Sequence, residues 1–534
     1  MQLRPQRNIS LLSSVLWRRN KQGMSLKEAG FRPLFCLATI LNRGMEMHKI
    51  KQPEVLSAAI LKNYAGIASN QASRLLDEAY CGFDRKIIVL DDDPTGVQTV
   101  HGVSVYTEWS KETIEQGFRG PDSMFFILTN SRSFQREETE HVHRVIGHTI
   151  AEVSRATGKR YVIVSRGDST LRGHYPLETE ALRNAVEQVN GMTFDGEILC
   201  PFFLEGGRYT LQATHYVREG DWLIPVGDTE FAKDASFGYK SSNLVNWCLE
   251  KYKGSLKSEQ IICIPLELLQ IGDVGAVTRM LMQVSGFGKV IVDAVCYNDI
   301  KVFCAGYLAA LRQGKEFLLR SAASLPKILG RVPDRPLLSK SDLVAEDCKT
   351  GGIILVGSHV EKTTQQLEAL KNCQIPIHMI EFDQHRVLQK NGLLLEKQRV
   401  VEEANHAIAH GDTVVVYTRR ERLDIDSDNP DDQLQISVEI SNALTGVIGD
   451  LQVRPRFIIA KGGITSSDVG TKALRVKKAI AMGQICPGVP VWMTGEESKF
   501  PGMPYIIFPG NVGTADTLRE AVEILTKSRG EDEC

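Results

Sequence analysis

Three consecutive carboxylates, Asp91, Asp92 and Asp93, follow the apolar run 87–90 and precede Pro94, Thr95 and Gly96. Like charges this close repel and are costly to desolvate. At the end of a buried strand they point to a metal, a cation or a proton-transfer task. Pro94 and Gly96 set a tight turn, and Thr95 can cap a following helix. Three more polar sets follow apolar runs: TNSRS (129–133), with Arg132; SRGDSTLRG (165–173), with Arg166, Asp168, Ser169, Thr170 and Arg172; and GDTEFAKD (227–234). Arginine holds a carboxylate through two parallel hydrogen bonds, and an aspartate accepts a hydroxyl proton. Helix caps and surface ion pairs explain any one set alone. Four sets at successive strand ends favour a crevice for a small, anionic, hydroxylated ligand.

The C-terminal half carries small residues at the same kind of place: GSH (357–359), KGGITS (461–466), the loop GQICPG (483–488) and PGNVG (509–513). Glycine lets backbone N–H groups approach an anion, and a helix N-terminus adds a favourable dipole. No G-x-x-x-x-G-K-[ST] or G-x-G-x-x-G motif occurs, so this is neither a P-loop nor a dinucleotide fingerprint. One lobe thus offers acids and arginines, and the other offers glycine loops to phosphates. A cleft between them suits phosphoryl transfer from a nucleotide to a hydroxyl, usually with Mg²⁺ bridging phosphates. Two rivals stand beside this reading. Asp91-x-Asp93-x-Thr95 also fits the D-x-D-x-T of haloacid-dehalogenase-like phosphatases, with Asp91 as nucleophile. A non-catalytic nucleotide-binding sensor would need the glycine loops but no acid–arginine crevice.

The elements that must position these residues alternate in type. Strand candidates are 86–90, 102–107, 124–128, 161–165, 197–200, 261–265 and 289–295, with helical stretches at 136–157 and 176–190. The rhythm restarts at 352–358, 375–380, 413–418, 456–463, 489–494 and 504–511. Such alternation predicts an α/β fold of two α/β domains with largely parallel sheets and the active site in the interdomain cleft. In open parallel sheets ligands bind beyond the carboxyl ends of the strands. The expected layout is an extension at 1–81, partly disordered or helical, a domain at 82–325, a Pro-rich linker at 326–350 and a domain at 351–530. Residues 52–80 have helical spacing, and DIDSDNPDD (424–432) reads as a solvated loop.

Composition narrows the function classes. With 534 residues, more than one core is expected. A net charge of −2 argues against a general nucleic-acid or membrane-surface binder, and no run of 18 apolar residues predicts a spanning helix. The 11 cysteines show no C-x-x-C pair and read as reduced thiols. His141, His143 and His148 are expected to face solvent from one helix. The first 27 residues hold six basic residues and no acid, the composition of a transit peptide. The expected location is therefore the cytoplasm, or a mitochondrion or plastid if the extension is read as an address.

DDPTG (92–96), SRGDSTLRG (165–173), PFFLEGGRYTLQATHYV (201–217), DTEFAKDASFGYKSSNLVNW (228–247), GSHVEKTTQQLEAL (357–370), KGGITSSDV (461–469) and PGVPVW…FPGNVG (487–513) together resemble the four-carbon acid sugar kinases. The resemblance spans about residues 85–525 and implies an N-terminal sugar-acid domain and a C-terminal ATP domain. It implies ATP-dependent phosphorylation of the terminal hydroxyl of a threonate, erythronate or 3-oxo-tetronate type of acid, with Mg²⁺. By motif, Asp92, Arg132, Arg166, Gly167, Asp168, Ser169 and Arg172 would meet the substrate, with Asp92 or Asp93 catalytic and Asp92 favoured as base. Ser358, Lys461, Gly462, Gly463, Ile464 and Gly510 would meet the nucleotide. Metal ligands stay unassigned. Expected partners are the sugar acid and ATP, with self-association open and no nucleic acid or membrane. Asp91, Pro94 and Arg166 depart from the commoner family pattern, which leaves the exact acid open. The extension resembles that of relatives in which this unit is fused to dehydrogenase and aldolase domains.

Overall fold

The computed structural model describes residues 53–526, apart from 65, 374, 422, 424–429 and 511, with backbone alone for 430–434. The basic extension and most of the acidic patch at 424–432 lie outside the described residues. In the N-terminal half the strands are β1 Leu56–Ser57, β2 Lys86–Asp91, β3 Val103–Tyr106, β4 Met124–Leu128, β5 Tyr161–Arg166, β6 Gly196–Cys200, β7 Arg208–Leu211, β8 Thr214–Glu219, β9 Trp222–Pro225, β10 Ile261–Ile264, β11 Gly288–Val292 and β12 Phe317–Ser321. The C-terminal half adds β13 Ile353–Val356, β14 Ile377–Phe382, β15 Thr413–Thr418, β16 Ile458–Lys461, β17 Lys478–Cys486, β18 Val489–Thr494 and β19 Pro504–Phe508.

Fifteen of these strands form one sheet in the order β10-β11-β6-β12-β5-β2-β4-β3-β17-β18-β19-β16-β13-β15-β14. The first eight are mutually parallel, as are the last five. β17 and β18 join the two sets through antiparallel pairs, with Tyr106 opposite Lys478 at the junction. The expected two α/β halves are therefore present, fused edge to edge. A second, antiparallel sheet, β1-β9-β8-β7, was not foreseen.

The central strands are buried on both faces, as parallel strands covered by helices must be. Helices Arg136–Thr157 and Leu177–Asn190 cover one face of the N-terminal set. Each ends on a left-handed glycine, Gly158 and Gly191. Helix Tyr297–Arg312 covers the opposite face and packs on helix Ser69–Tyr80. The reading of 52–80 as helical thus holds from Ser69 onward; before it come β1 and a 3₁₀ turn, Ala58–Asn63. The proposed linker starts inside the buried helix Ser324–Leu329. No described helix is long and apolar enough to cross a membrane, and the nine described cysteines are all free.

The strand order reverses beside β2, which lies between β4 and β5, and again beside β13, between β16 and β15. Ligand crevices in open α/β sheets form at such switch points. The acid turn follows β2, and the glycine loops follow β13, β16 and β19.

Candidate active site

Asp91 ends β2 at 2% exposure, its carboxylate tucked beneath the next turn. A Cβ on Gly96 would sit 1.9 Å from Asp91 Oδ2, so only glycine lets the turn close over that acid. Arg166, from the end of β5, donates through Nη1 to Asp91 Oδ1 at 3.1 Å and to Asp92 Oδ1 at 3.4 Å. Arg132, from the turn after β4, forks onto Asp92 with Nε to Oδ2 at 3.1 Å and Nη2 to Oδ1 at 2.5 Å. Its Nη1 reaches Asp93 Oδ2. Asp93 Oδ1 accepts Thr95 N at 2.7 Å and the Thr95 hydroxyl.

Three carboxylates coexist here because their environments differ. Burial pushes the Asp91 carboxyl well above the usual range, the Arg166 charge only partly offsetting it. Burial also raises Asp92 against the pull of Arg132. For Asp93, Arg132, Arg166 and the two bonds from Thr95 outweigh burial and leave it below the usual range. Asp91 therefore keeps its proton more readily than its neighbours, which relieves the like-charge repulsion.

The loop after β5 completes the crevice. Asp168 accepts Arg172 Nε at 2.8 Å and the Thr170 hydroxyl, and lies 3.9 Å from Arg132 Nη1. Burial opposes its charge, yet Arg132 and Arg172 hold it below the usual carboxylate range. A Cβ on Gly167 would strike Arg320 Nη2 at 2.3 Å, so the loop passes directly over that guanidinium. The carbonyl of Ser169 accepts His215 Nε2 at 2.8 Å, and that of Thr170 accepts the Tyr239 hydroxyl at 2.5 Å. His215, whose pKa burial lowers to about 4, is neutral there. The structure thus brings Asp92, Asp93, Arg132, Arg166, Asp168 and Arg172 into one ion-paired group, with Gly167 and Ser169 on its rim.

Several members of this neighbourhood escaped sequence reasoning. Arg320 on β12 bonds Glu178 Oε2 at 2.7 Å and Ser165 Oγ at 2.9 Å, and Ser131 Oγ donates to Glu178 Oε1 at 2.7 Å. Burial opposes Glu178's charge, but the Arg320 guanidinium beside it, with His143 and the Ser131 hydroxyl, brings its pKa down to about 2. His143 corrects the solvent-facing expectation: it is 2% exposed, its Nδ1 on Thr139 O at 2.8 Å, and burial lowers its pKa. His141 and His148 are exposed as expected. His143 shares the inward stripe of Thr139, Ile146 and Ile150, a signal that spacing alone carried.

Around the glycine loops, Lys461 closes β16 fully buried, with Nζ on Pro509 O at 2.6 Å and Gly510 O at 3.1 Å. Burial brings its pKa down to about 7, helped by Lys362. Gly462, at φ 122°, starts the short helix Gly463–Asp468; a Cβ there would lie 3.4 Å from Ser358 Cβ. A Cβ on Gly463 would meet nothing within 4 Å, and Ile464 is 64% exposed. Ser358 Oγ lies 3.9 Å from where a Gly510 Cβ would sit. Ser358, Lys461, Gly462 and Gly510 are therefore neighbours, with Gly463 and Ile464 facing outward beside them. Arg420, which the sequence did not single out, donates to Ser358 O at 2.8 Å.

The stretch 483–488 is not a loop. Gly483, Gln484, Ile485 and Cys486 belong to β17, whose pairing with β18 shifts register between Ala481 and Gly483 and between Gln484 and Cys486 before the turn into β18. Its Gly488 carbonyl accepts Gln98 Nε2 at 3.1 Å. The segment joins the two halves: a Cβ on Gly488 would lie 3.0 Å from Val512, next to the 509–513 loop.

Carboxylate oxygens of Asp91, Asp92 and Asp93 can lie within 4.8 Å of one another, close enough to share a cation. Arg132 and Arg166 already occupy those oxygens. A Mg²⁺ ion, which demands near-octahedral oxygen coordination, does not fit that set. The glycine loops, with open space at Gly463 and a buried lysine bracing the 509–510 carbonyls, fit a polyphosphate.

Residues 87–329 match a sugar-binding N-terminal domain, and residues 353–518 a nucleotide-binding C-terminal domain. Two solved structures share the fold. Haemophilus influenzae protein HI1011 is 17% identical with a TM-score of 0.54, the match covering 82% of this chain and 100% of that one. A Salmonella typhimurium LT2 protein, whose name proposes a tRNA synthase, is 16% identical with a TM-score of 0.58, covering 82% and 98%. At these identities the likeness concerns fold alone. No curated protein matches the chain.

Proposed function

Because the chain belongs to the four-carbon acid sugar kinase family, we propose that it transfers the γ-phosphoryl group of ATP to the terminal hydroxyl of a four-carbon sugar acid. The acid is of the threonate, erythronate or 3-oxo-tetronate type. One observation carries the assignment of the base: of three adjacent carboxylates, only Asp92 combines a raised pKa with direct hydrogen bonds from both Arg132 and Arg166. Asp91 is sealed under Gly96, and Asp93 is spent on Thr95 and Arg132.

In this reading Asp92 takes the hydroxyl proton as the oxygen attacks the γ-phosphorus. The bond from that phosphorus to the β-phosphate oxygen breaks, and ADP leaves. Arg132, Arg166, Gly167, Asp168, Ser169 and Arg172 orient the acid. Ser358, Lys461, Gly462, Gly463, Ile464 and Gly510 hold the nucleotide. Catalysis is then mainly positioning and charge neutralisation. Mg²⁺ supplies charge neutralisation on the phosphates, and it would be carried by the nucleotide rather than by residues 91–93.

Sheet geometry supports a shared cleft. Seven strand steps separate β2 from β13, with an odd number of antiparallel pairings between them. At a twist of roughly 20–25° per step, the accumulated rotation is about 140–175°. A rotation of that size would turn the carboxyl ends of the two parallel sets toward the same side. The phosphatase reading suffers because the turn at Gly96 closes directly over its nucleophile, Asp91. A sensor would not need the acid–arginine crevice.

The test is ADP release with threonate, erythronate and 3-oxo-tetronate in parallel, with and without Mg²⁺. Acid-dependent ADP formation with at least one of them is expected. Phosphate release from a phospho-sugar without nucleotide would favour the phosphatase, and nucleotide binding without turnover on any of the three would favour the sensor.

A further inference from the structure

The arginines of the crevice are not equivalent. Arg132, Arg166, Arg172 and Arg320 each have a carboxylate oxygen within 3.1 Å. Arg208, at the start of β7, has no salt bridge among the described residues. Its Nη1 donates only to the Gly206 carbonyl, and its Nε is buried with no partner. Arg208 is partly buried, and a buried guanidinium nitrogen without a partner is costly unless a ligand completes it.

Its surroundings hold it in place. Backbone bonds with Phe203, at 2.8 and 3.1 Å, fix the Arg208 main chain. The Phe231 ring lies 5.7 Å from the Arg208 guanidinium and 5.1 Å from that of Arg172. One aromatic ring therefore supports two guanidiniums, and Arg172 is the arginine that grips Asp168. Asp168 is also the strongest charge acting on Arg208. Asp234 approaches Arg172 only to 3.8 Å, and Glu219 is exposed.

We infer that Arg208, with Arg172 beside it on Phe231, forms the subsite for the carboxylate of the substrate acid. This inference rests on the kinase reading and refines it. Asp92, Arg132, Asp168 and Arg172 form a chain of contacts, which puts Arg208 at the far end of the crevice from the proposed base. The subsite requires that an acid whose terminal hydroxyl meets Asp92 place its other end there. Arg132 and Arg166, engaged by aspartates, then frame the hydroxyl end.

The experiment compares wild type, Arg208→Gln and Arg208→Lys with the acid that wild type turns over best and with its carboxamide analogue. Losing charged hydrogen bonds of about 1.5–3 kcal/mol corresponds to a rise of about 10–150-fold in KM for the acid in Arg208→Gln. We expect kcat and KM for ATP to stay within threefold, Arg208→Lys to recover part of the loss, and the preference for acid over carboxamide to collapse. An unchanged acid KM with the preference intact overturns the subsite. So does a loss confined to kcat, ATP affinity and thermal stability, which marks a structural arginine. Calorimetric titration of the three acids without nucleotide separates the two claims. Acid binding lost in Arg208→Gln, with wild type unable to consume ATP, sinks the kinase reading and keeps the subsite. Should Arg208→Gln fail to fold, Phe231→Leu is expected to weaken acid binding several-fold, and unchanged binding there overturns the inference.

Discussion

Replacing Asp92 by asparagine probes the base assignment with the least disturbance of shape. The aspartate offers two oxygens to the Arg132 fork, at 3.1 and 2.5 Å, and one to Arg166 at 3.4 Å. Asparagine keeps one oxygen and turns an NH₂ toward a guanidinium. A lost charged hydrogen bond costs about 1.5–3 kcal/mol, but the neutral amide also escapes the burial penalty that raises the Asp92 pKa. The two effects oppose each other, so a modest drop in melting temperature is expected. The chemical effect is larger. Removing a general base costs about 10²–10⁴-fold in kcat, or ~2.7–5.4 kcal/mol of barrier. Asp93→Asn provides the control, since it weakens the Thr95 turn and the Arg132 Nη1 pair but leaves Asp92 in place. The assay is steady-state ADP release at saturating acid, with ADP affinity from calorimetry. The account expects Asp92→Asn to lose at least a hundredfold in kcat with ADP affinity within twofold, and Asp93→Asn to lose less than tenfold. An Asp92→Asn variant retaining a tenth of wild-type kcat, or an Asp93→Asn variant more damaged than it, would exclude Asp92 as the base.

Gly463→Trp should fold normally, because a Cβ there meets nothing within 4 Å, yet raise the ATP dissociation constant at least tenfold in calorimetry. Lys461, at a pKa of about 7 when buried without nucleotide, should gain a proton as a triphosphate arrives. Titrations at pH 8 in buffers of different ionisation enthalpy should report net proton uptake, and buffer-independent heats would count against it. Asp293, buried and pushed up to about 7 while holding the Gln212 and Ala213 amides, binds its proton more tightly folded than unfolded. Its contribution to stability is therefore present below about pH 4 and lost as pH rises toward 7. The rise from 3.8 to about 7 is worth ~4 kcal/mol. Asp293→Asn should thus gain on wild type in chemical denaturation between pH 5 and pH 8; a pH-independent difference would exclude the effect.

Much of the scaffold was legible because its parallel strands are short, unbroken apolar runs. MFFIL at 124–128 and the helix at 136–157 coincide with observed elements. Elements whose pairing is nonlocal or whose pattern is mixed were not legible. β17 carries Gly483 and Gln484 inside the strand and shifts register there, so its C-terminal end read as a loop, although the strand fuses the two halves. The β7–β8 hairpin turns on Gln212 and Ala213 with positive φ, where a sequence signal would be Asn-Gly or Asp-Gly. That hairpin carries Arg208 and His215. β12 brings Arg320, buried beneath Gly167, from a short run that spacing did not flag. Within the site, the acids and arginines were visible as residue types. Their division of labour was not, because it depends on Gly96 closing over Asp91 and on which guanidinium reaches which oxygen.

The most direct test of the central claim is ³¹P nuclear magnetic resonance of the product formed from ATP and the preferred acid. Transfer to the terminal hydroxyl gives a phosphomonoester coupled to the protons of the terminal carbon, formed one-for-one with ADP and absent without the acid. An acyl phosphate, or inorganic phosphate released regardless of the acid, would contradict transfer to a terminal hydroxyl.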